Sequence, residues 1–390
     1  MKSPSSFDDL RPYNQEEIAP AMQRIAASEY FPLMAQFIFP EKDVEEVRNM
    51  VRHIRTTHEF QLQIMYYFNK KVIERSAGSF TFSGTEYLEQ DKSYLFISNH
   101  RDIMLDSALM QYMLHINGFR TTEITFGDNL MSSQLIIDIG RSNKMFKVVR
   151  GGNMRDFYSN SLHLSKYIRH TITEKNESVW IAQRGGRTKD GNDMTDQGII
   201  KMFCMSGTAD PVHSADELNM VPVAMSYQIE SCDILKTREL YLSRNDAKYI
   251  KQKDEDLNSI LTGVAQQKGN IHIAICEPVR RGELEAIEYN QPNEFYKSLA
   301  TLIDGRIHQN YKLHSNNYIA HDLRSGKDTY STCYTPEDKA AFIERTAQML
   351  HQIDGEKDIL ISIFWGIYAN PVENQLLYYP KKETISKVPR

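Results

Sequence analysis

The residues best equipped for chemistry stand together in Ser98-Asn99-His100-Arg101-Asp102-Ile103-Met104-Leu105-Asp106. A histidine with carboxylates two and six residues downstream suits general base work. The acid can hold one imidazole tautomer and stabilise the imidazolium once a proton has been taken. The same residues also read as an ordinary helix entry, with a first-turn acid favoured by the helix dipole. Taken alone they leave both readings open.

Three more segments have the composition of binding sites. Phe126-Gly127-Asp128-Asn129-Leu130 leads on to Lys144-Met145-Phe146-Lys147-Val148-Val149-Arg150-Gly151-Gly152, a strand ending in basic residues and a glycine pair. Such an ending can hold a phosphate, and it equally describes a plain strand end and hairpin. Trp180-Ile181-Ala182-Gln183-Arg184-Gly185-Gly186-Arg187 runs a buried strand into a glycine turn flanked by arginines. Glycines allow close backbone approach and guanidinium forks match phosphate oxygens, although an exposed charged turn looks the same. The order of residues is not that of a Walker loop. Met220-Val221-Pro222-Val223-Ala224 reads as a buried strand opened by proline.

The elements that must position these segments follow from periodicity. Tyr94–Ser98, Glu123–Phe126, Phe146–Val149, Ser178–Ala182, Val221–Ser226 and Ile271–Cys276 read as strands, with Phe80-Thr81-Phe82 a shorter one. Helical spacing recurs near 104–117, 131–139, 155–175, 195–206 and 251–266. This alternation predicts an α/β fold, a mixed sheet covered by helices, with helical N- and C-terminal additions. The expected divisions are 1–84 (arm and amphipathic helix), 85–285 (α/β domain) and 286–390 (helical extension). In the first, a single long helix is expected from Asp43 to about Ser76. Its Arg48, Arg52, Arg55, Lys70, Lys71 and Arg75 suit either an anionic membrane surface or a solvated face. In the last, helices are expected near 292–311, 336–353 and 356–368, with a polar loop near 312–335.

The bulk composition narrows the functional class. A net charge of −5 argues against general nucleic-acid binding, and 41% hydrophobic with 25% charged residues is ordinary for a globular protein. Cys204, Cys232, Cys276 and Cys333 are scattered with no metal-ligand spacing, so neither a disulfide framework nor a metal site is expected. No apolar run reaches the length of a bilayer span, and the first twenty residues lack the apolar stretch of a secretory signal.

Taken in order, the four segments resemble the blocks of the glycerolipid acyltransferases that act on glycerol 3-phosphate and 1-acylglycerol 3-phosphate. Asn99-His100 with Leu105-Asp106 resembles the family's N-H-x-x-x-x-D, and Arg101 its H-R pairing. Gly127-Asp128-Asn129-Leu130 and Phe146 to Arg150 resemble the two ends of the second block. Gly186-Arg187 falls at the third, E-G-x-R, and Val221-Pro222-Val223 at the fourth. Two departures stand out. Five residues separate His100 from Asp106 where the family has four, leaving Asp106 or Asp102 as the partner, and Gly185 occupies the glutamate position.

The resemblance implies transfer of a fatty acyl group from a coenzyme A or acyl-carrier-protein thioester to a glycerol hydroxyl, without a cofactor. The implied base is His100, assisted by Asp106. The implied acceptor-binding residues are Arg101, Asp128, Asn129, Arg150, Arg184, Gly185, Gly186, Arg187 and Pro222. It also implies a cytoplasmic chain on the inner face of the cell membrane. Alternatives are transfer to a non-phosphate lyso-lipid such as an N-acyl amino acid, and a degenerate lipid- or carrier-binding protein.

Overall fold

The computed structural model describes residues 7–149, 151, 153–244, 249–252 and 254–378. Helices α1 (Gln15–Ala27), α2 (Phe31–Ile38), α3 (Val44–His53), α4 (Thr57–Phe60) and α5 (Tyr66–Ser76) precede the first strand, β1 (Ala77–Ser83). The alternating region follows as β2 (Leu95–Ser98), α6 (Leu105–Ile116), β3 (Glu123–Gly127), α7 (Gln134–Ser142), β4 (Met145–Val148), α8 (Met154–Thr173) and β5 (Val179–Ala182). It continues through α9 (Gln197–Cys204), α10 (Pro211–Asp216), β6 (Met220–Tyr227), α11 (Asp233–Leu242), α12 (Glu255–Ala265) and β7 (Gly269–Ile275). Helices α13 (Arg281–Glu285), α14 (Pro292–Asn310), α15 (Ser315–Ser325), α16 (Pro336–Leu350) and α17 (Lys357–Leu376) complete the chain.

The strands form one sheet in the order β1-β7-β6-β2-β5-β3-β4, parallel throughout except between β6 and β7. Strands β2, β5 and β6 are buried along their whole length, as interior strands covered on both faces must be. Leu95, Ile97, Val179 and Ile181 face a core completed by Ile168 of α8, Phe203 of α9 and Ile303 of α14. Phe96, Trp180, Val221, Val223 and Ile273 face the opposite core, with Leu109 and Met113 of α6 and Val72 of α5. This is the α/β architecture expected, and β1 adds an edge strand beginning at Ala77, paired with β7.

Two expectations are corrected. The helix expected from Asp43 to Ser76 is broken. Ile54 is extended (φ −64°, ψ 133°), and Thr56 restarts the helix through a capping box with Glu59. The Thr-x-x-Glu signal outweighs the continuing apolar period because it satisfies donors that a helix start leaves open. A π turn over Gln61–Met65 then leads into α5. The basic residues do not share one free face: Arg48 bonds Glu45 and the Ala26 carbonyl, Arg55 bonds the Arg52 and Ile54 carbonyls, and Arg75 lies over Phe37. The apolar side chains of α3 instead join Ile18, Met22 and Phe31 in a core of their own.

The polar loop expected at 312–335 contains α15, whose Ile319 and Ala320 are buried against α17. Its start is hidden in sequence because the cap is His314 with Asn317, not a hydroxyl–glutamate pair.

Candidate active site

His100 stands at the carboxyl end of β2, on the turn that leads into α6. Its Nδ1 lies 3.0 Å from Asp106 Oδ2. The same oxygen accepts the backbone N–H of Arg101 at 2.6 Å and of Asp102 at 2.9 Å, and Oδ1 accepts the Tyr227 hydroxyl at 2.8 Å. Asp106 is fully buried and accepts from two backbone amides and a phenol hydroxyl, a setting that suits a further N–H donor from the imidazole. His100 then carries its proton on Nδ1, leaving Nε2 as the acceptor. Burial and the charge of Asp106 push the Tyr227 phenol well above its ordinary value, which keeps it a donor.

Asp102 does other work. Its Oδ1 caps α6 through the backbone N–H groups of Met104 and Leu105, and its Oδ2 accepts the Ser231 hydroxyl. The longer His-to-Asp interval is therefore taken up in the turn, and the sixth residue keeps the imidazole contact.

Arg101 is buried, held 2.6 Å from Asp193 and 3.3 Å from Glu230, and its guanidinium lies over Tyr311. Lys236 bridges Glu230 at 2.5 Å and the Arg101 carbonyl at 2.7 Å. Two cations and two carboxylates thus neutralise one another directly behind His100. The Arg101 Nη atoms are spent on Asp193, Glu230 and the Gly191 carbonyl. Its Nε has no partner among the described residues, and the whole side chain is sealed from solvent. Its role is to anchor the turn, which corrects its place among the acceptor-binding residues.

The network extends into the C-terminal helices. Tyr368 of α17 accepts the Glu230 N–H at 3.1 Å and donates to Asp233 at 2.6 Å, and Arg345 of α16 pairs with Asp233 at 2.7 Å. Gly191 takes φ +79° against α17, where a Cβ would meet the Ile367 carbonyl oxygen at 2.2 Å. The strand-end loop and the C-terminal helices are therefore locked together.

The loop after β5 lies beside the His100 turn because β5 pairs with β2. Thr188 N–H donates to the His100 carbonyl at 2.7 Å. Arg187 is buried, with one Nη bonded to Ser259 of α12 at 3.2 Å and the other without a partner in the described residues. Arg184 is half-buried and Gly185 exposed. Gly186 has φ +80°, and a Cβ at Gly185 or Gly186 would meet nothing within 4 Å.

Asp128 and Asn129 follow β3, and Asn129 donates to Asp256 of α12 at 3.1 Å. Arg150 lies outside the described residues. Pro222 is buried in mid-strand opposite Ile97, with its carbonyl accepting the Cys276 N–H at 3.0 Å. It is core, which corrects its place among the residues that would touch an acceptor.

Helix α12 gathers these loops. Asp256 takes Asn129, Ser259 takes Arg187, and Gly263 lies so close to Asp102 that a Cβ would sit 2.2 Å from its carboxylate. The periodicity of 251–266 announces a helix but not this task. Tyr227, Asp193, Glu230 and Lys236 were also missed. Only Tyr227 had a signal: it continues the alternation of Val221, Val223 and Met225 on the face that leads to the His100 turn.

No group of His, Cys, Asp and Glu among the described residues is arranged to hold a metal ion, and no described helix is long and apolar enough to cross a membrane.

Comparison with known proteins bears on this arrangement. Residues 79–226 match the family model described as Acyltransferase. No curated protein sequence matches the chain. Among solved structures, the 1-acyl-sn-glycerophosphate (LPA) acyltransferase PlsC from Thermotoga maritima covers 74% of this chain and 92% of its own. The identity is 14% and the TM-score 0.36, too loose a superposition to carry weight.

Proposed function

We propose, from the premise that residues 79–226 form an acyltransferase-family domain, that the chain transfers a fatty acyl group from a thioester to a hydroxyl of glycerol 3-phosphate or 1-acylglycerol 3-phosphate. The observation that carries this reading is the 3.0 Å pair of His100 Nδ1 and Asp106 at a strand end, beside an Arg187 guanidinium with an unspent edge.

In this reading His100 Nε2 takes the acceptor hydroxyl proton as the oxygen attacks the thioester carbonyl. Asp106 holds the ring and stabilises the imidazolium, which returns the proton to the departing thiolate. The thioester is already activated, so direct transfer needs no covalent acyl-enzyme. Arg187 and Arg184 are assigned the acceptor phosphate, whose binding energy positions the hydroxyl. The donor is a coenzyme A or acyl-carrier-protein thioester, and the lipid acceptor places the chain at a cytoplasmic membrane surface.

Gly185 favours a second reading. Without a carboxylate beside the glycine turn, a phosphate-free lyso-lipid acceptor or a degenerate, binding-only protein fits the loop. The test is purified protein with palmitoyl-coenzyme A or palmitoyl-acyl carrier protein and a panel of acceptors, read by mass spectrometry. Acylated glycerol 3-phosphate or lysophosphatidate supports the first reading. Product only from phosphate-free lyso-lipids, or none at all, would overturn it.

A further inference from the structure

The family match ends at Ser226, and the residues that brace the His100 turn begin at the next position. Tyr227 donates to Asp106 at 2.8 Å, and Glu230 accepts an Arg101 Nη at 3.3 Å. The Ser231 hydroxyl donates to Asp102, and Lys236 donates to the Arg101 carbonyl at 2.7 Å. One segment, from the end of β6 into α11, thus reaches Arg101, Asp102 and Asp106 together. None of its four bracing residues is more than 2% exposed, so each bond is made away from competing water.

The two peptide groups that follow His100 are each held at both ends. In the first, the Thr188 N–H meets the carbonyl at 2.7 Å and the peptide N–H donates to Asp106 at 2.6 Å. In the second, Lys236 meets the carbonyl at 2.7 Å and the peptide N–H donates to Asp106 at 2.9 Å. Without Lys236 the second peptide loses one of its two anchors. Rotation of that peptide withdraws a donor from the Asp106 oxygen that aims the imidazole.

Charge balance accounts for the buried ammonium only in part. Lys236 pairs with Glu230 at 2.5 Å, but a pair of opposite charges needs no third partner. Buried pairs exchanged for neutral groups of similar volume usually leave stability near where it was. The bond to the Arg101 carbonyl is the part that neutrality does not require. The C-terminal helices fix where Lys236 stands. It lies three residues after Asp233, the first residue of α11. Asp233 accepts from Tyr368 of α17 at 2.6 Å and from Arg345 of α16 at 2.7 Å, and Tyr368 also accepts the Glu230 N–H at 3.1 Å. An ammonium on a flexible stem holds one position only when its base is fixed in this way.

We propose that Lys236 is a positioning residue for the transfer assigned to His100. It fixes the second peptide of the turn, α16 and α17 fix Lys236, and residues 79–226 alone are therefore an incomplete catalytic unit. The inference rests on His100 as the base and not on which acceptor is used.

The test is the full chain carrying Glu230→Gln and Lys236→Met together, which removes one charge of each sign and leaves Arg101 paired with Asp193. This double variant should melt near wild type. Its kcat should fall by about 10–10²-fold with acceptor KM within about threefold, because positioning and not binding is lost. A second readout is independent of turnover. The proton on His100 Nδ1, observed by NMR in the wild type through its bond to Asp106, should be lost to exchange in the double variant. Tyr368→Phe, which keeps the ring and removes the hydroxyl, should lower kcat by about three- to tenfold and weaken the same resonance. Wild-type kcat, an unchanged His100 resonance, or a loss carried wholly by KM in the folded double variant would each overturn the proposal. If the double variant does not fold, Tyr368→Phe decides, and unchanged kcat and resonance there overturn it. If the wild type acylates none of the acceptors tried, the proposed function fails and the resonance still decides the role of Lys236.

Discussion

The two loops that meet at the carboxyl ends of β2 and β5 are built on opposite terms. In the turn after β2, Asp106 accepts from an imidazole, two backbone amides and a tyrosine, and Arg101 is enclosed by carboxylates. In the loop after β5, Arg187 keeps an unpartnered nitrogen, and Gly185 and Gly186 have open space around them. The first loop is over-determined, which suits the base proposed for His100. The second is under-determined, with charge to spare and a backbone free to adjust. In the proposed reaction, a fixed base would stand beside an adaptable anion site.

The comparison breaks first at His100. His100→Ala should lower acyl transfer by about 10²–10⁴-fold while the melting temperature stays near wild type, because only the base is lost. A folded variant that loses less than about tenfold would remove the turn from the chemistry altogether.

The two aspartates sharpen the contrast within the turn. Asp106→Asn should lower kcat by about 10²–10³-fold, since an amide cannot stabilise the imidazolium and its NH₂ would face donors. Asp102→Asn should keep most of the activity and cost about 1 kcal/mol or less of stability, as an exchange of one capping residue for another. Activity assays and chemical denaturation of both variants decide the matter, and the reverse order of activities would make Asp102 the functional acid.

At the β5 loop the effect should fall on binding. Arg187→Ala is expected to raise KM for a phosphorylated acceptor by about tenfold, the worth of a charge-assisted hydrogen bond, with a smaller change in kcat. A phosphate-free acceptor should be nearly indifferent. If both acceptors suffer equally, Arg187 serves the fold through Ser259.

The smallest effect is expected at Gly185. Its φ lies outside the left-handed range and a Cβ there meets no atom within 4 Å, so a glutamate can be built. Supplying the missing carboxylate between Arg184 and Arg187 should order the loop. Gly185→Glu should raise kcat by about two- to tenfold, up to about 1.4 kcal/mol in the barrier, with little change in acceptor KM. Steady-state kinetics with unchanged or lower kcat would make the open glycine pair a working feature of this chain.

Much of this was legible in the residues. Apolar runs bounded by turn residues located six of the seven strands within a residue or two, because interior parallel strands must be apolar on both faces. The same order of strand ends brought His100, Asp128 and Arg187 to one end of one sheet. Local signals failed where two of them competed, as at Thr56, where a capping box cut a helix that the apolar period would have continued. They also failed where a start was capped unusually, as at His314.

What the sequence by itself determined is the set of strands and the placing of His100 on a strand-to-helix turn. What only the tertiary structure decided is which partner each polar group takes. Asp102 lies two residues from His100 along the chain and Asp106 six, and the choice between them rests on the start of α6. That start aims Asp106 back at the ring and spends Asp102 on the helix cap. Arg101 and Arg187 carry identical side chains beside the same loops, yet one is neutralised by Asp193 and Glu230 while the other bonds the neutral Ser259 hydroxyl. Those partners come from 92 to 129 residues away along the chain, and Tyr368 and Arg345 reach the same network from the C-terminal helices. Local sequence records the donors and acceptors each segment carries, but burial favours pairing them, and the partner is chosen by the packing of distant elements.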